Sequence, residues 1–142
     1  MGDLIVRASR LKGARVNREE IPSLIDELPV LMLAACYAQG KSIFEGVQEL
    51  RVKETDRIKS ISFNLKKMGA DIRVSRSGNY ENIVIKGKKV LKGAKVSSFG
   101  DHRTAMSMVV AGLSSKGKTR IDDISCIKKS FPDFLTLLKT LS

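Results

Sequence analysis

The sequence has no tryptophan, two tyrosines and five phenylalanines in 142 residues. Proteins that hold single-stranded nucleic acid stack its bases on aromatic platforms, so that class loses ground. Cys36 and Cys126 stand far apart in no ligand-spaced cluster, and His102 is the single histidine. Such a set supports no protein-built zinc site, and both cysteines are expected to be reduced and structural. No run of about 18 apolar residues occurs, so no membrane-spanning helix is expected. Met1-Gly2-Asp3-Leu4 does not open a basic-then-apolar leader, so a cytoplasmic address follows. Acids are scarce too: 15 against 26 lysines and arginines, a formal charge of +11. That excess favours anionic partners such as phosphorylated metabolites, nucleic acid or acidic lipid. A lysine-rich solvated surface explains it equally well.

Apolar residues make up 42% of the chain, enough for one globular domain with its own core. The strongest organisational signal is an internal repeat. Residues 11–16 read Leu-Lys-Gly-Ala-Arg-Val and residues 91–96 read Leu-Lys-Gly-Ala-Lys-Val. Each copy is followed by an acid (Asp26, Asp101), an apolar run (Leu28 to Ala38, Ala105 to Leu113) and a Gly-Lys pair (Gly40-Lys41, Gly117-Lys118). The unit is roughly 70–80 residues of alternating strands and helices with extra strands between. Leu4-Ile5-Val6 reads as a strand. The runs Val30 to Ala38 and Ala105 to Leu113 are apolar almost all round, which predicts helices buried on every side. From Thr55 to Met68, Ile58, Ile61, Leu65 and Met68 form one amphipathic stripe, ended by Gly69. Asp71 to Ser75 and Asn82 to Ile85 read as strands across Ser77-Gly78-Asn79. Ser130 is placed to cap a last helix, with Pro132 and Asp133 in its first turn and Phe134, Leu135, Leu137 and Leu138 on its apolar face.

Charged clusters recur at helix entrances. They are Asp26-Glu27, Arg51 to Arg57, Asp101-His102-Arg103 and Lys128-Lys129. Free N–H groups and the positive dipole end suit such places to anions. Arg57, Arg103 and Lys129 there would build a strongly positive pocket, and guanidinium groups clamp carboxylate or phosphate with paired bonds. Asp26 and Glu54 would oppose anion binding unless they move protons or hold hydroxyls. The plainer alternative is that acids in a first turn complement the dipole and basic loops are solvated. Asp56 fits that alternative best, as a helix-start acid near an arginine.

Together the clusters resemble one family, the 5-enolpyruvylshikimate-3-phosphate synthases. Lys53-Glu54-Thr55-Asp56-Arg57-Ile58, with Leu65 and Met68-Gly69, is similar to one of its signatures. Asp101-His102-Arg103 with Ala105-Met106, Lys129-Ser130-Phe131-Pro132-Asp133, and Ile25-Asp26-Glu27 with Pro29 are similar to three more, in the family's order. Thr104 stands where the family commonly has methionine, and Gly100 where it often has an acid or asparagine.

The resemblance implies an inside-out α/β barrel of repeated βαβαββ units, with buried parallel helices inside and sheets outside. The chain would supply about two of the three units of one domain, over roughly 1–87 and 88–142, as the C-terminal part of the second enolpyruvyl transferase domain. An exposed apolar face and self-association would follow. The implied reaction moves the enolpyruvyl group of phosphoenolpyruvate to the 5-hydroxyl of shikimate 3-phosphate and releases phosphate, on the route to chorismate and the aromatic amino acids. By the same resemblance, Glu54 moves the proton at the donor's methylene carbon, and Asp26 binds and deprotonates the acceptor hydroxyl. Arg57, Arg103 and Lys129 bind phosphoenolpyruvate, Lys53 contacts the shikimate moiety, and His102 supports the site. No metal or organic cofactor, nucleic acid or membrane is implied as a partner. The chain by itself is expected to be inactive, since half a cleft cannot position both substrates. The competing assignments are a fragment of the UDP-N-acetylglucosamine enolpyruvyl transferase, a basic nucleic-acid-binding module and a non-catalytic interaction domain.

Overall fold

Parallel strands cannot be joined by a tight turn and need a crossover, usually helical. The computed structural model, which describes residues 5–88 and 90–140, uses that device twice. Strand β1 (Arg15–Val16) leads through a 3-10 turn (Ile21–Leu24) into helix α1 (Leu28–Tyr37) and back to β2 (Lys41–Phe44), which runs parallel to β1. Strand β5 (Lys95–Val96) leads into helix α3 (His102–Ser114) and back to the parallel β6 (Arg120–Ile121). Helix α2 (Arg57–Lys67) and the hairpin of β3 (Asp71–Ser77) and β4 (Tyr80–Lys86) complete the first unit, giving βαβαββ and a sheet of order β1-β2-β4-β3. The second unit closes with a 3-10 segment (Ser125–Lys129) and helix α4 (Phe134–Thr140).

The sequence repeat is a repeat of hydrogen bonds. Gly13 N–H donates to Gln39 C=O at 2.8 Å, and Gly93 N–H to Lys116 C=O at 2.9 Å. Gln39 N–H returns to Leu11 C=O at 2.8 Å, and Lys116 N–H to Leu91 C=O at 2.9 Å. Both motif glycines lie against the returning strand. A Cβ on Gly13 would stand 2.3 Å from the Lys41 carbonyl oxygen, and one on Gly93 2.3 Å from that of Lys118. No side chain fits either contact, which is why the repeat keeps glycine there.

The stripe expected on α2 is the one it buries. Ile58, Ile61, Leu65 and Met68 are all inaccessible, packed with Leu28, Met32, Ile83, Ile85 and Met108 in one core. Each such side chain contributes about 2 kcal/mol by leaving water. Asp56 caps the helix by accepting from Lys59 N–H at 2.9 Å. A Schellman pair closes it: Gly69 N–H to Lys66 C=O and Ala70 N–H to Leu65 C=O, both 2.9 Å, with Gly69 at φ +88°.

Three expectations change. Helices α1 and α3 are not buried on every side: Val30 is 40% and Leu113 63% exposed, while Leu31, Ala34, Met106 and Val110 are half-buried. Two units cover one side of each helix, and full burial needs a further layer. No strand forms at Ile5 and Val6, which are exposed, because no neighbouring strand takes their backbone groups; Leu4 lies outside the described residues. Ser130 caps no helix. It ends the 3-10 segment, where its N–H and that of Phe131 bond to Ile127 C=O, and α4 starts at Phe134. No helix among the described residues is long and apolar enough to cross a membrane. Cys36 and Cys126 are both free and buried, and burial pushes the Cys36 thiol up to about 12.

The two close contacts should be equally intolerant. Gly13→Ala and Gly93→Ala are each expected to cost about 2–4 kcal/mol, read as a lowered denaturation midpoint. An unchanged midpoint in either would show that the strand pair yields without strain.

Candidate active site

The entrances of α1, α2 and α3 follow, in the chain, the strands β1, β2 and β5 of the parallel pairs. Arg57 is the first residue of α2, and its side chain is 1% exposed. A buried guanidinium needs acceptors, and three segments supply them. Its Nη1 donates to Asp26 Oδ1 at 3.0 Å, and its Nη2 to Glu54 Oε2 at 2.7 Å and Asp101 Oδ1 at 3.3 Å. Asp26 lies just before α1, Glu54 in the loop before α2, and Asp101 is the N-cap of α3. Arg103, the second residue of α3, donates from Nη2 to the other oxygen of Asp26 at 3.0 Å. Arg57 and Arg103, from two different helices, thus share one carboxylate.

Asp101 is the fixed member of this cluster. It is fully buried and accepts from Arg103 N–H at 3.4 Å, Thr104 N–H at 3.0 Å and the Thr104 hydroxyl at 2.7 Å. Thr104 Oγ1 is also 3.1 Å from Ser60 Oγ, which ties α3 to α2. Burial alone would raise the Asp101 pKa, but the Thr104 hydroxyl and N–H and the Arg57 charge hold it below the ordinary value. Burial likewise works against the charge on Arg57, and Asp101 and Asp26 more than offset it. The Glu54 loop is braced from behind. Arg51 donates to Asp56 at 2.6 Å through Nη1 and to Glu81 of β4 through Nε and Nη2.

The pocket is not the strongly positive one that the spacing of cations predicts. Two guanidiniums meet three carboxylates, so the cluster carries one negative charge in excess. Two donors nevertheless remain without acceptors: Arg57 Nε and Arg103 Nε are buried and unpaired among the described residues. An orphaned buried N–H costs about 1–3 kcal/mol and marks where an incoming acceptor would gain most. Beside Asp26 and Arg103 opens a groove of about 250 Å³, walled by Val30, Met106, Val110, Phe131 and Phe134.

Of the residues singled out from sequence, Asp26, Glu54, Arg57 and Arg103 converge. His102 stands next to them, its Nδ1 3.9 Å from Asp101 Oδ1. Lys53 and Lys129 do not join the cluster. Lys53 donates to Glu49 at 2.7 Å. Lys129 is exposed, with no bonded partner among the described residues, two positions before the groove residue Phe131. Ammonium groups are more strongly hydrated than guanidiniums; Lys129 is left in water, and Lys53, half-buried, is held by Glu49 instead. Sequence reasoning gave Asp101 no role and treated Thr104 only as a departure from a pattern. The signal was available: an acid immediately before an apolar helix occupies the capping position.

Asp101→Asn keeps a competent cap while removing the buried countercharge of Arg57. It is expected to cost on the order of 3 kcal/mol, measured by denaturant unfolding at neutral pH. The folded Asp101 pKa is depressed, so its stabilisation is full above the unfolded value near ~4 and is lost as pH falls through the folded one. The acid side of the stability profile should therefore be shallower in Asp101→Asn. Parallel profiles would show that Asp101 does not carry the acid sensitivity.

The model of the family described as EPSP synthase (3-phosphoshikimate 1-carboxyvinyltransferase) matches residues 1–138. A 3-phosphoshikimate 1-carboxyvinyltransferase from Syntrophomonas wolfei is 51% identical over 143 residues, covering 100% of this chain and 32% of its own length. One from Geotalea uraniireducens is 44% identical over 139 residues, covering 98% and 32%. Among solved structures, an EPSP synthase from Acinetobacter baumannii has a TM-score of 0.83 at 36% identity, over 92% of this chain and 30% of that one. The enolpyruvyl transferase NikO from Streptomyces tendae, at 16% identity and TM-score 0.67, shares the fold. The chain thus spans about a third of the length of the curated relatives it matches. A family match over residues 1–138, relatives this similar and a common fold make this chain a member of the EPSP synthase family.

Proposed function

We propose that this chain supplies the donor-binding half of an enolpyruvyl transfer site, as the C-terminal part of a second domain. The acting group is the enolpyruvyl of phosphoenolpyruvate, the acceptor is the 5-hydroxyl of shikimate 3-phosphate, and phosphate leaves. One observation carries the reading: Arg57 and Arg103, from different helices, converge on one carboxylate beside Glu54 while each keeps a buried, unpaired Nε donor. Two guanidiniums with spare donors suit a small dianion with a carboxylate at one end and a phosphate at the other.

The chemistry assigns the acids. Addition needs a proton delivered to the donor's methylene carbon while the acceptor oxygen bonds to the adjacent carbon. Glu54, half-exposed and bonded among the described residues only to Arg57, delivers that proton. Asp26 takes the hydroxyl proton of the acceptor. Elimination then expels phosphate as Glu54 takes a proton back from the new methyl group, restoring the double bond. Preorganised cations stabilise the charge that develops on the donor. Lys129 reaches the donor from the end of its 3-10 segment, Lys53 contacts the shikimate moiety, and His102 steadies Asp101. The apolar strip of Val30, Leu31, Val110 and Leu113 is the face on which this chain alone self-associates.

Three measurements test this reading. In the complete enzyme built around this chain, Glu54→Gln should leave substrate binding nearly intact and lower turnover at least about 100-fold; near-normal turnover would remove Glu54 from the proton path. Arg57→Ala should weaken phosphoenolpyruvate binding by roughly tenfold or more, read by titration, and an unchanged affinity would exclude its donor role. The 142-residue chain by itself should show no turnover and should sediment as a concentration-dependent oligomer, whereas a strict monomer would refute the apolar face.

A further inference from the structure

The three carboxylates around Arg57 are not equivalent. Asp101 is fully buried and locked by backbone and hydroxyl bonds. Glu54, at 53% side-chain exposure, touches one guanidinium. Asp26 is 44% exposed and touches two, with one oxygen on each: Oδ1 on Arg57 and Oδ2 on Arg103, both at 3.0 Å. Among the described residues its carboxylate makes no other hydrogen bond. It also lines the groove, together with Arg103.

A carboxylate that spans two arginines, one oxygen to each, has the shape and charge of the group a carboxylate ligand would present to them. We propose that Asp26 is a resident stand-in for the donor's carboxylate. It holds the Arg57 and Arg103 guanidiniums apart at ligand spacing in the empty site, and it is exchanged for the donor when the donor binds. This inference rests on the reading of the cluster as the donor site.

The exchange has two consequences. In the empty site Asp26 offsets part of the charge of the two guanidiniums, so the donor has to displace it and gives up part of its affinity in doing so. Donor binding also frees Asp26. In the empty site both of its oxygens are engaged, one by each guanidinium. Once the donor has taken over the arginines, Asp26 can turn to the acceptor hydroxyl. The base then becomes available only when the donor is in place, which links the two substrates through one side chain. Loss of Asp26 leaves Arg57 its bonds to Asp101 and Glu54, so the fold does not depend on it.

The test compares phosphoenolpyruvate binding by the complete enzyme built around this chain, as wild type, Asp26→Asn and Asp26→Ala, followed by NMR shifts of the Arg57 and Arg103 Nε–H groups. Thermal melting checks that each variant is folded. Glu27→Gln, which removes a charge from the same groove without touching either guanidinium, is the control for general electrostatics. With no internal competitor to displace, both Asp26 variants should bind the probe roughly tenfold tighter, the order set by one charge-assisted contact no longer given up. Glu27→Gln should change affinity less than about twofold. Equal or weaker binding in the Asp26 variants overturns the stand-in role while leaving the donor-site reading intact. An equal gain in Glu27→Gln also overturns it, as a plain effect of net charge. No binding by any of the four proteins overturns both the inference and the donor-site reading beneath it.

Discussion

The buried guanidinium of Arg57 is the constraint around which the rest of the structure is arranged. A cation without water must find acceptors or be expelled, and the cost of leaving it unpaired is several kcal/mol. Its acceptors come from the entrance of α1, the loop before α2 and the cap of α3. These segments are otherwise held by packing farther along each helix, in the core of Met32, Leu65 and Met108. The ion-pair cluster therefore fixes the helix entrances relative to one another, while the apolar core fixes their bodies. Precision at the site and stability of the fold are supplied by different interactions, and the first can be retuned without dismantling the second.

The repeat explains why the entrances meet. Both crossovers leave the carboxyl end of a parallel strand and enter a helix, so the starts of α1 and α3 lie at the same end of their strand pairs. Open α/β sheets place ligands at that end as a rule. The close approach of Gly13 and Gly93 to the returning strands keeps the two crossovers alike. One duplicated piece of backbone geometry thus delivers Asp26 from one copy and Asp101 from the other. Their sequences then diverge in role: the first carboxylate stays half-exposed, and the second is sealed under Thr104 and Ser60.

Much of this was legible before any coordinates. The spacing of Ile58, Ile61, Leu65 and Met68 states the buried face of α2, because a helix has one period and the stripe matches it. The duplicated Leu-Lys-Gly-Ala motif states the repeat. The motif resemblance pointed to Asp26, Glu54, Arg57 and Arg103, which the fold brings together. Burial was harder to read. An all-apolar helix says that its surface avoids water but not which neighbour covers it, so the open sides of α1 and α3 were missed. The role of Asp101 was hidden because capping and ion pairing look alike in sequence, and only packing shows that one carboxylate does both. Ser130 failed as a cap because the 3-10 segment runs on to it, its N–H bonding back to Ile127 C=O, so that α4 starts only at Phe134.

Net charge was the most misleading signal, and the reason is physical. A charge of +11 suggests a cationic site, yet the site holds more carboxylates than guanidiniums. Part of the surplus lies on the strands, where Lys41 stands opposite Lys86 and Lys95 opposite Arg120 in register. Such like-charged neighbours are tolerated only because water and salt screen them. They can raise the local concentration of an anion over the whole surface, but screening makes them poor at holding one. Selective holding needs cations taken out of water, and cations out of water need carboxylates to keep them there until a ligand arrives. A buried anion site in an empty protein must therefore look nearly neutral, and its affinity reflects how easily its own acids can be exchanged. That places the discrimination between ligands in the mobility of half-exposed carboxylates, not in the number of arginines and lysines that the composition displays.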